Sequence, residues 1–162
     1  MPKKILMVCL GNICRSPVAE GILRRKVEKR GLDVVVDSAG TSNYHIGECP
    51  DKRSIDSARK YGIDISGLRA RQFSHLDFDE FDRIYVMDSS NYGDVMELAR
   101  HKRDRQKVEL ILNALYPDSN MSVPDPYYGG EQGFENVFML LDQACEIIAD
   151  SLQKALADEL KR

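Results

Sequence analysis

The feature that most constrains the fold is an alternation between short apolar runs and longer segments with helical periodicity. The apolar runs, which we interpret as strands covered on both faces, are 4–9, 33–40, 81–88 and 107–115. The segments with apolar side chains at helical spacing are 16–31, 51–62, 90–100 and 133–160. For 107–115 a helix remains an alternative. Strands that alternate with helices form right-handed βαβ units, so the sequence predicts an α/β fold with a parallel, doubly wound sheet.

Length and composition fit one globular domain over residues 1–162, with 43% hydrophobic and 30% charged residues. A net charge of −3, without a basic stretch interleaved with aromatic residues, argues against nucleic acid as a partner. Apolar runs stay well short of the ~20 residues that span a membrane, and the N-terminal run lacks a cleavage site, so we expect neither a membrane protein nor a signal peptide. Four cysteines without an export signal predict reduced thiols in the cytoplasm.

The segment VCLGNICRSP joins the end of the first predicted strand to the first predicted helix. Ligands of doubly wound sheets bind at the carboxyl ends of the strands, and the free N–H groups of a helix N-terminus favour an anion. Gly11 and Asn12 tolerate the left-handed backbone that would turn successive N–H groups inward. Arg15 adds a planar fork that can hold two phosphate oxygens. The segment therefore predicts a phosphate cradle.

Cys9 begins this loop, so its thiol would lie at the floor of the cradle. The helix N-terminus and the Arg15 guanidinium favour a thiolate, and the hydroxyl of Ser16 could donate a hydrogen bond to it. A thiolate beneath a bound phosphate predicts covalent catalysis, in which a phosphoryl group passes to sulfur and then to water.

Cys9, five intervening residues, Arg15 and Ser16 match the signature loop of cysteine-dependent phosphatases, and VCLGNICRSP as a whole resembles the low-molecular-weight protein tyrosine phosphatases. The segments DSAGT (37–41), MDSSN (87–91) and DPYYG (125–129) resemble the same family in the same order. The resemblance implies a four-stranded parallel sheet and hydrolysis of phosphotyrosine without metal or cofactor. Its partners would be tyrosine-phosphorylated proteins, and we expect a monomer or weak self-association.

The irregular, proline-rich segment 116–132 holds the residue that the resemblance implies as general acid, Asp125. A phenolate leaving group, with a pKa of ~10 when free, needs a proton at neutral pH. A loop that carries a carboxylate over the phosphate site would supply it, and Asp125 would then serve as the base that activates water.

Further residues match a slot for the phosphotyrosine ring. The resemblance implies Tyr44 and Tyr127 as opposite walls, with Tyr128 beside them and with Leu10 and Ile13 in contact with the ring. An isoleucine at position 13 also favours a tyrosine phosphatase over the related protein arginine phosphatases, which tend to carry threonine there. A deep apolar slot would favour phosphotyrosine over the shorter phosphoserine.

Some features leave alternatives open. Asn12 and Ser38 match residues that support the loop backbone, but Leu68 stands where relatives often have a histidine in that support. Cys14 is either a packed side chain or a thiol that traps oxidised Cys9 as a disulfide. A thiol-dependent arsenate reductase shares the Cys-x5-Arg loop, but YVMDSSN lacks the further cysteine such a relay needs. A non-catalytic phosphotyrosine-binding module would need neither Cys9 nor Asp125.

Overall fold

The strands form one parallel sheet in the computed structural model, which describes residues 3–127 and 129–162. Within these residues four strands pair in the order β2–β1–β3–β4, all in parallel. The strands are β1 (Lys3–Cys9), β2 (Val34–Gly40), β3 (Arg83–Val86) and β4 (Val108–Leu110). The helices are α1 (Arg15–Lys29), α2 (Lys52–Arg59), α3 (Asp77–Glu80), α4 (Ser89–Glu97), α5 (Lys102–Gln106) and α6 (Gly130–Leu160).

The central strand β1 is buried on both faces, and its side chains alternate between two apolar clusters. Ile5, Met7 and Cys9 belong to the cluster that packs against α1 and α6. Leu6 and Val8 belong to the cluster on the opposite face, which includes residues of α3 and α4. Helices therefore cover both faces of the sheet, and the α/β fold predicted from the alternation of elements is confirmed.

The strand predicted over 107–115 is wrong beyond its first residues. The structure has β4 at Val108–Leu110 and then a 3-10 helix at Ile111–Asn113. The partner strand explains the difference, because β3 ends at Val86, which pairs with Leu110. Beyond Leu110 the backbone has no neighbour to complete a ladder, so the chain turns into hydrogen bonds of its own.

The long C-terminal helix was predicted from a stripe of apolar residues. It begins at Gly130, three residues before the predicted start, and seven stripe residues are buried, namely Phe134, Val137, Phe138, Leu141, Cys145, Ile148 and Leu152. The last stripe residue, Leu156, is half-buried. Within the described residues, no helix combines the length and apolar composition needed to cross a membrane.

Candidate active site

The phosphate loop, residues 9–16, connects the end of β1 to the start of α1. Its backbone is bonded to the residues that follow β2: Thr41 N donates to Cys9 O at 2.9 Å and Ser42 N donates to Leu10 O at 2.9 Å. Gly40 makes this close approach possible, because a Cβ there would lie 2.7 Å from Leu10 O. The sheet edge therefore fixes the course of the loop.

Cys9 is 2% exposed, and its sulfur lies 3.0 Å from the hydroxyl oxygen of Ser16. The first turn of α1, from Arg15 to Val18, carries no acidic side chain. No carboxylate within this turn itself offsets the positive end of the helix dipole beside the thiol. This environment favours a bound anion.

Asn12 holds the loop in shape from behind. Its φ of 58° is left-handed, a conformation that asparagine tolerates when its side chain is hydrogen-bonded locally. Its Nδ2 donates to Ser16 Oγ at 2.8 Å and to Ser38 Oγ at 2.9 Å, while its Oδ1 accepts from Arg71 N at 3.0 Å. Because Arg71 N can only donate, it fixes which end of the amide faces Ser16. The Ser16 hydroxyl, which accepts from Asn12, can then donate its one proton either to Cys9 Sγ or to Ala39 O, which lies 3.4 Å away.

Arg15 is 2% exposed and is anchored by one edge of its guanidinium. Nη1 donates to Asp88 Oδ2 at 2.7 Å and to Val123 O at 3.0 Å. Nε is buried and has no hydrogen-bond partner in the described part of the chain. Burial opposes the charge, but Cys9 and Asp88 outweigh it and raise the pKa of Arg15. A buried cation with a free donor matches a ligand that brings oxygen atoms.

The proline-rich loop, residues 116–127, reaches the cavity from the opposite side. Val123 N donates to Met87 O at 2.7 Å and fastens the loop to the end of β3. Asp125 follows with a side chain that is 41% exposed, and its Oδ2 lies 3.7 Å from Nη2 of Arg15. The loop therefore brings a partly exposed carboxylate to the same place as the buried arginine.

These elements enclose a cavity of about 220 Å³. Most of the predicted site residues line it, namely Cys9, Leu10, Gly11, Ile13, Cys14, Arg15, Tyr44, Asp125 and Tyr127. Tyr44 is 73% exposed and stands with Tyr127 at the mouth. Three further predicted residues, Asn12, Ser16 and Ser38, do not line the cavity but support the loop backbone. Tyr128 falls outside the described residues.

Cys14 is buried like Cys9, but it packs in a different apolar cluster. It belongs to a small buried apolar cluster with Ile13, Ala70 and Phe134. Burial and the charge of Asp51 raise the pKa of the Cys14 thiol to about 12. Cys14 therefore stays protonated at neutral pH and is a poor nucleophile.

Sequence reasoning missed two carboxylates in the support of the site. Asp88 both accepts from Arg15 and caps α4, where its Oδ1 accepts from Asn91 N at 2.7 Å. The motif MDSSN contained it, and an aspartate before a helix after a strand end is the signal that could have indicated it.

Glu20, the second missed carboxylate, is buried in α1 and accepts from Ser38 Oγ at 2.6 Å. Burial raises the pKa of Glu20, opposed by Ser38 and Arg24. Leu68, at the position where a histidine was expected in relatives, is partly buried and packs against the core. The network that supports the loop therefore includes a buried carboxylate, and no spacing along the sequence indicated this role.

The fold and the cavity together define an α/β protein that holds a buried thiol and a buried arginine around one cavity. Comparison with known proteins then identifies the family: the model for low molecular weight phosphotyrosine protein phosphatases matches residues 4–158. The chain therefore belongs to the low molecular weight protein-tyrosine-phosphatase family, a family of hydrolases.

Relatives of this family span distant organisms and nearly the whole chain. The low molecular weight protein-tyrosine-phosphatase YfkJ of Bacillus subtilis is 41% identical over 152 residues, 93% of this chain and 96% of that protein. The low molecular weight phosphotyrosine protein phosphatase of Gallus gallus is 42% identical over 147 residues, 89% and 92% of the two chains. A crystal structure of a protein tyrosine phosphatase from Entamoeba histolytica, with Hepes in its active site, has a TM-score of 0.88 at 35% identity and covers 94% of this chain and 98% of that chain.

Proposed function

We propose that this protein hydrolyses phosphotyrosine in proteins through a cysteinyl-phosphate intermediate. The observation that carries the proposal is the placement of Cys9, Arg15 and Asp125 around one cavity. The thiol lies next to a helix N-terminus, the guanidinium offers a free donor, and the carboxylate enters from the other side.

In the first step the Cys9 thiolate attacks phosphorus, and the bond from phosphorus to the tyrosine oxygen breaks. Asp125, in its protonated form, gives its proton to that oxygen, so that tyrosine leaves as a neutral phenol. Arg15 and the backbone N–H groups of the phosphate loop stabilise the charge on the equatorial oxygens.

In the second step a water molecule attacks the phosphorus of the cysteinyl phosphate. Asp125, now a carboxylate, takes a proton from this water, and the sulfur–phosphorus bond breaks. Inorganic phosphate leaves and the Cys9 thiolate is restored. Neither step needs a metal ion or a cofactor.

The substrate side of the proposal rests on the cavity mouth. Tyr44, Tyr127, Leu10 and Ile13 line the same cavity as Cys9. An aryl ring between apolar walls brings its phosphate to the floor, which the shorter phosphoserine cannot reach. We infer that the partners are tyrosine-phosphorylated proteins rather than nucleic acids or membranes, and that the chain is one domain acting as a monomer or in weak self-association.

The cysteines support a reducing compartment. All four lie in the described residues, and none is in a disulfide, although Cys9 and Cys14 sit in the same loop. A thiolate nucleophile works only when reduced, so we place the protein in the cytoplasm.

The experiment that tests the proposal measures hydrolysis of p-nitrophenyl phosphate in the presence of EDTA. We expect activity in the wild type and a loss on the order of 10⁴-fold or more in Cys9→Ser, as for other catalytic nucleophiles. Hydrolysis that EDTA abolishes, or that Cys9→Ser leaves unchanged, would refute the mechanism.

Substrate arms of the same assay decide the specificity. Four compounds are offered separately to the wild type: a phosphotyrosine peptide, the same peptide with phosphoserine in place of phosphotyrosine, free phosphoarginine, and arsenate. We expect turnover of the phosphotyrosine peptide alone. Preferential turnover of phosphoarginine, or arsenate-dependent oxidation of thiols, would replace the proposal by one of the two related chemistries.

A further inference from the structure

A continuous set of contacts joins the phosphate loop to the proline-rich loop through the start of α2. Asp51 lies at the near end: its N–H donates to Ile13 O at 2.7 Å. Asp51 is also the N-cap of α2, where its Oδ1 accepts from Arg53 N at 2.8 Å. The carboxylate is therefore fixed both to the phosphate loop and to the first turn of the helix.

Arg53 continues the path. Its Nε donates to Asp51 Oδ1 at 3.0 Å and its Nη2 donates to Asp51 Oδ2 at 2.9 Å. This bidentate salt bridge fixes the plane of the guanidinium. These hydrogen bonds lower the pKa of Asp51, so the pair is ionised at neutral pH.

The guanidinium of Arg53 also packs against two aromatic rings. Its carbon lies 4.5 Å from the ring centre of Phe134 in α6 and 5.4 Å from that of Tyr127. Both distances fall within the range of cation–π attraction. Phe134 is buried, so it provides a fixed base, whereas Tyr127 belongs to the proline-rich loop.

Tyr127 connects Arg53 to the proposed general acid, Asp125. Its N–H donates to Asp125 Oδ1 at 3.0 Å, which leaves Oδ2 turned toward Arg15. The path therefore runs from Ile13 through Asp51, Arg53 and Tyr127 to the carboxylate of Asp125.

We propose that Arg53 is a positioning residue, which holds the proline-rich loop so that Asp125 lies within proton-transfer distance of the leaving oxygen. The inference rests on the proposed function, since it presupposes that Asp125 is the general acid. Proton transfer requires a heavy-atom separation of about 2.6–3.2 Å, and a small displacement of the donor slows the reaction markedly. Arg53 touches neither phosphate nor leaving group, so its effect acts only through the loop.

The test compares two substrates of the same ring size whose leaving groups differ in acidity. Phenyl phosphate needs a proton on its leaving oxygen as much as phosphotyrosine does, because its phenol has a pKa of about 10, like tyrosine. The more acidic p-nitrophenol leaves more readily as an anion. We expect Arg53→Gln to lower kcat/KM for phenyl phosphate about tenfold and for p-nitrophenyl phosphate about threefold or less.

Two controls accompany this variant. Arg59 lies in the last turn of the same helix, is exposed, and has a 3.9 Å ion pair with Asp64. Arg59→Gln removes an equal charge and should leave both rates unchanged. The constant for inhibition by inorganic phosphate should be the same in the wild type and in Arg53→Gln, because the phosphate loop is untouched.

A second variant approaches the same path from its other end. Asp51→Asn keeps a good helix cap but removes the ion pair with Arg53, and we expect a smaller loss with the same preference for phenyl phosphate. The double variant Asp51→Asn and Arg53→Gln should be no worse than Arg53→Gln alone. Losses that add in full would show that the two residues act separately and would overturn the inference.

The outcomes separate this inference from the proposed function. Asp125→Ala should lower kcat/KM far more for phenyl phosphate than for p-nitrophenyl phosphate. If it does not, Asp125 is not the general acid and the proposed mechanism fails. If Asp125→Ala behaves as expected but Arg53→Gln lowers both rates equally, or weakens phosphate inhibition, Arg53 has only a structural role and the inference alone is overturned.

Discussion

The phosphate loop and the proline-rich loop are both irregular, and both reach the same cavity, but they are built in opposite ways. In the phosphate loop only Leu10 is exposed and Gly11 half-buried. In the proline-rich loop only Val123 and Pro126 are buried. The comparison supports a division of roles within the proposed mechanism: a tightly packed segment would fix the anion, and a lightly attached one would bring the proposed proton donor.

The backbone shows the same contrast. Asn12 in the phosphate loop and Asp118 in the proline-rich loop both have a φ near 60°. The Asn12 side chain makes three hydrogen bonds that select this conformation, whereas Asp118 is exposed. Left-handed backbone is thus imposed by a buried network at Asn12 and belongs to a surface turn at Asp118.

The largest expected effect comes from the proline-rich loop. Asp125→Ala should lower kcat/KM for phenyl phosphate about 10³-fold, within the range of general acid catalysis. The constant for inhibition by inorganic phosphate should stay within about twofold of the wild type, because Arg15 keeps its contacts to Asp88 and Val123. Steady-state kinetics with phosphate as inhibitor measures both quantities. If Asp125→Ala also lost phosphate binding, the two loops would not have the separate roles described above.

Arg15→Lys should damage binding and turnover together. A lysine keeps the charge but cannot hold Asp88, Val123 O and two phosphate oxygens at once. We expect kcat/KM to fall about 10²-fold, as when one donor to a developing charge is removed, with a parallel weakening of phosphate inhibition. Inhibition equal to that of the wild type would mean that the guanidinium does not hold phosphate.

A pair of glycine variants compares Asn12 and Asp118 directly. Asn12→Gly keeps the backbone conformation accessible but removes the side-chain network and leaves Arg71 N unpaired. It should lower the free energy of unfolding by about 2 kcal/mol. Asp118→Gly should change it by no more than about 0.5 kcal/mol, as is usual at exposed positions. Urea unfolding measures both, and equal losses would refute the contrast.

The smallest expected effect is a pH trend at Glu20, which supports the phosphate loop through Ser38. Because burial raises its pKa, the folded state binds the proton more tightly than the unfolded chain. The stabilisation from that proton is fully present below the unfolded pKa of about 4.3 and is lost as pH rises through the folded pKa. The unfolding free energy of the wild type minus that of Glu20→Gln should therefore be larger at about pH 4 than at about pH 7. Urea unfolding at the two pH values measures this difference, and a difference at about pH 7 equal to or larger than that at about pH 4 would contradict the prediction.

Much of the fold follows from the sequence because period and length identify its elements. The run 4–9 and the helix after it were predicted within one residue at their junction, since a buried apolar run followed by apolar residues at helical spacing leaves few alternatives. The end of β4 was not predicted correctly, because the length of β4 depends on where its partner strand β3 ends. Strand ends are set by pairing, which local sequence does not record.

The candidate site divides in the same way. The residues that line the cavity stand in recognisable motifs, so their convergence could be predicted. Their supports come from elsewhere: Glu20 lies inside a helix and Arg53 inside another, in runs that read as ordinary charged helix faces. Only the three-dimensional arrangement shows that Glu20 faces Ser38 and that Arg53 faces Tyr127.

Gly40 carries a consequence for anyone who wishes to redesign the pocket. The space that a side chain would need at this position is already filled by the carbonyl of Leu10 and the amide of Asn12. Any other residue would lift the floor of the cavity from beneath, without touching a substrate. New specificities should therefore be sought at the mouth, where Tyr44 has open space around it, and position 40 should be kept out of mutant libraries.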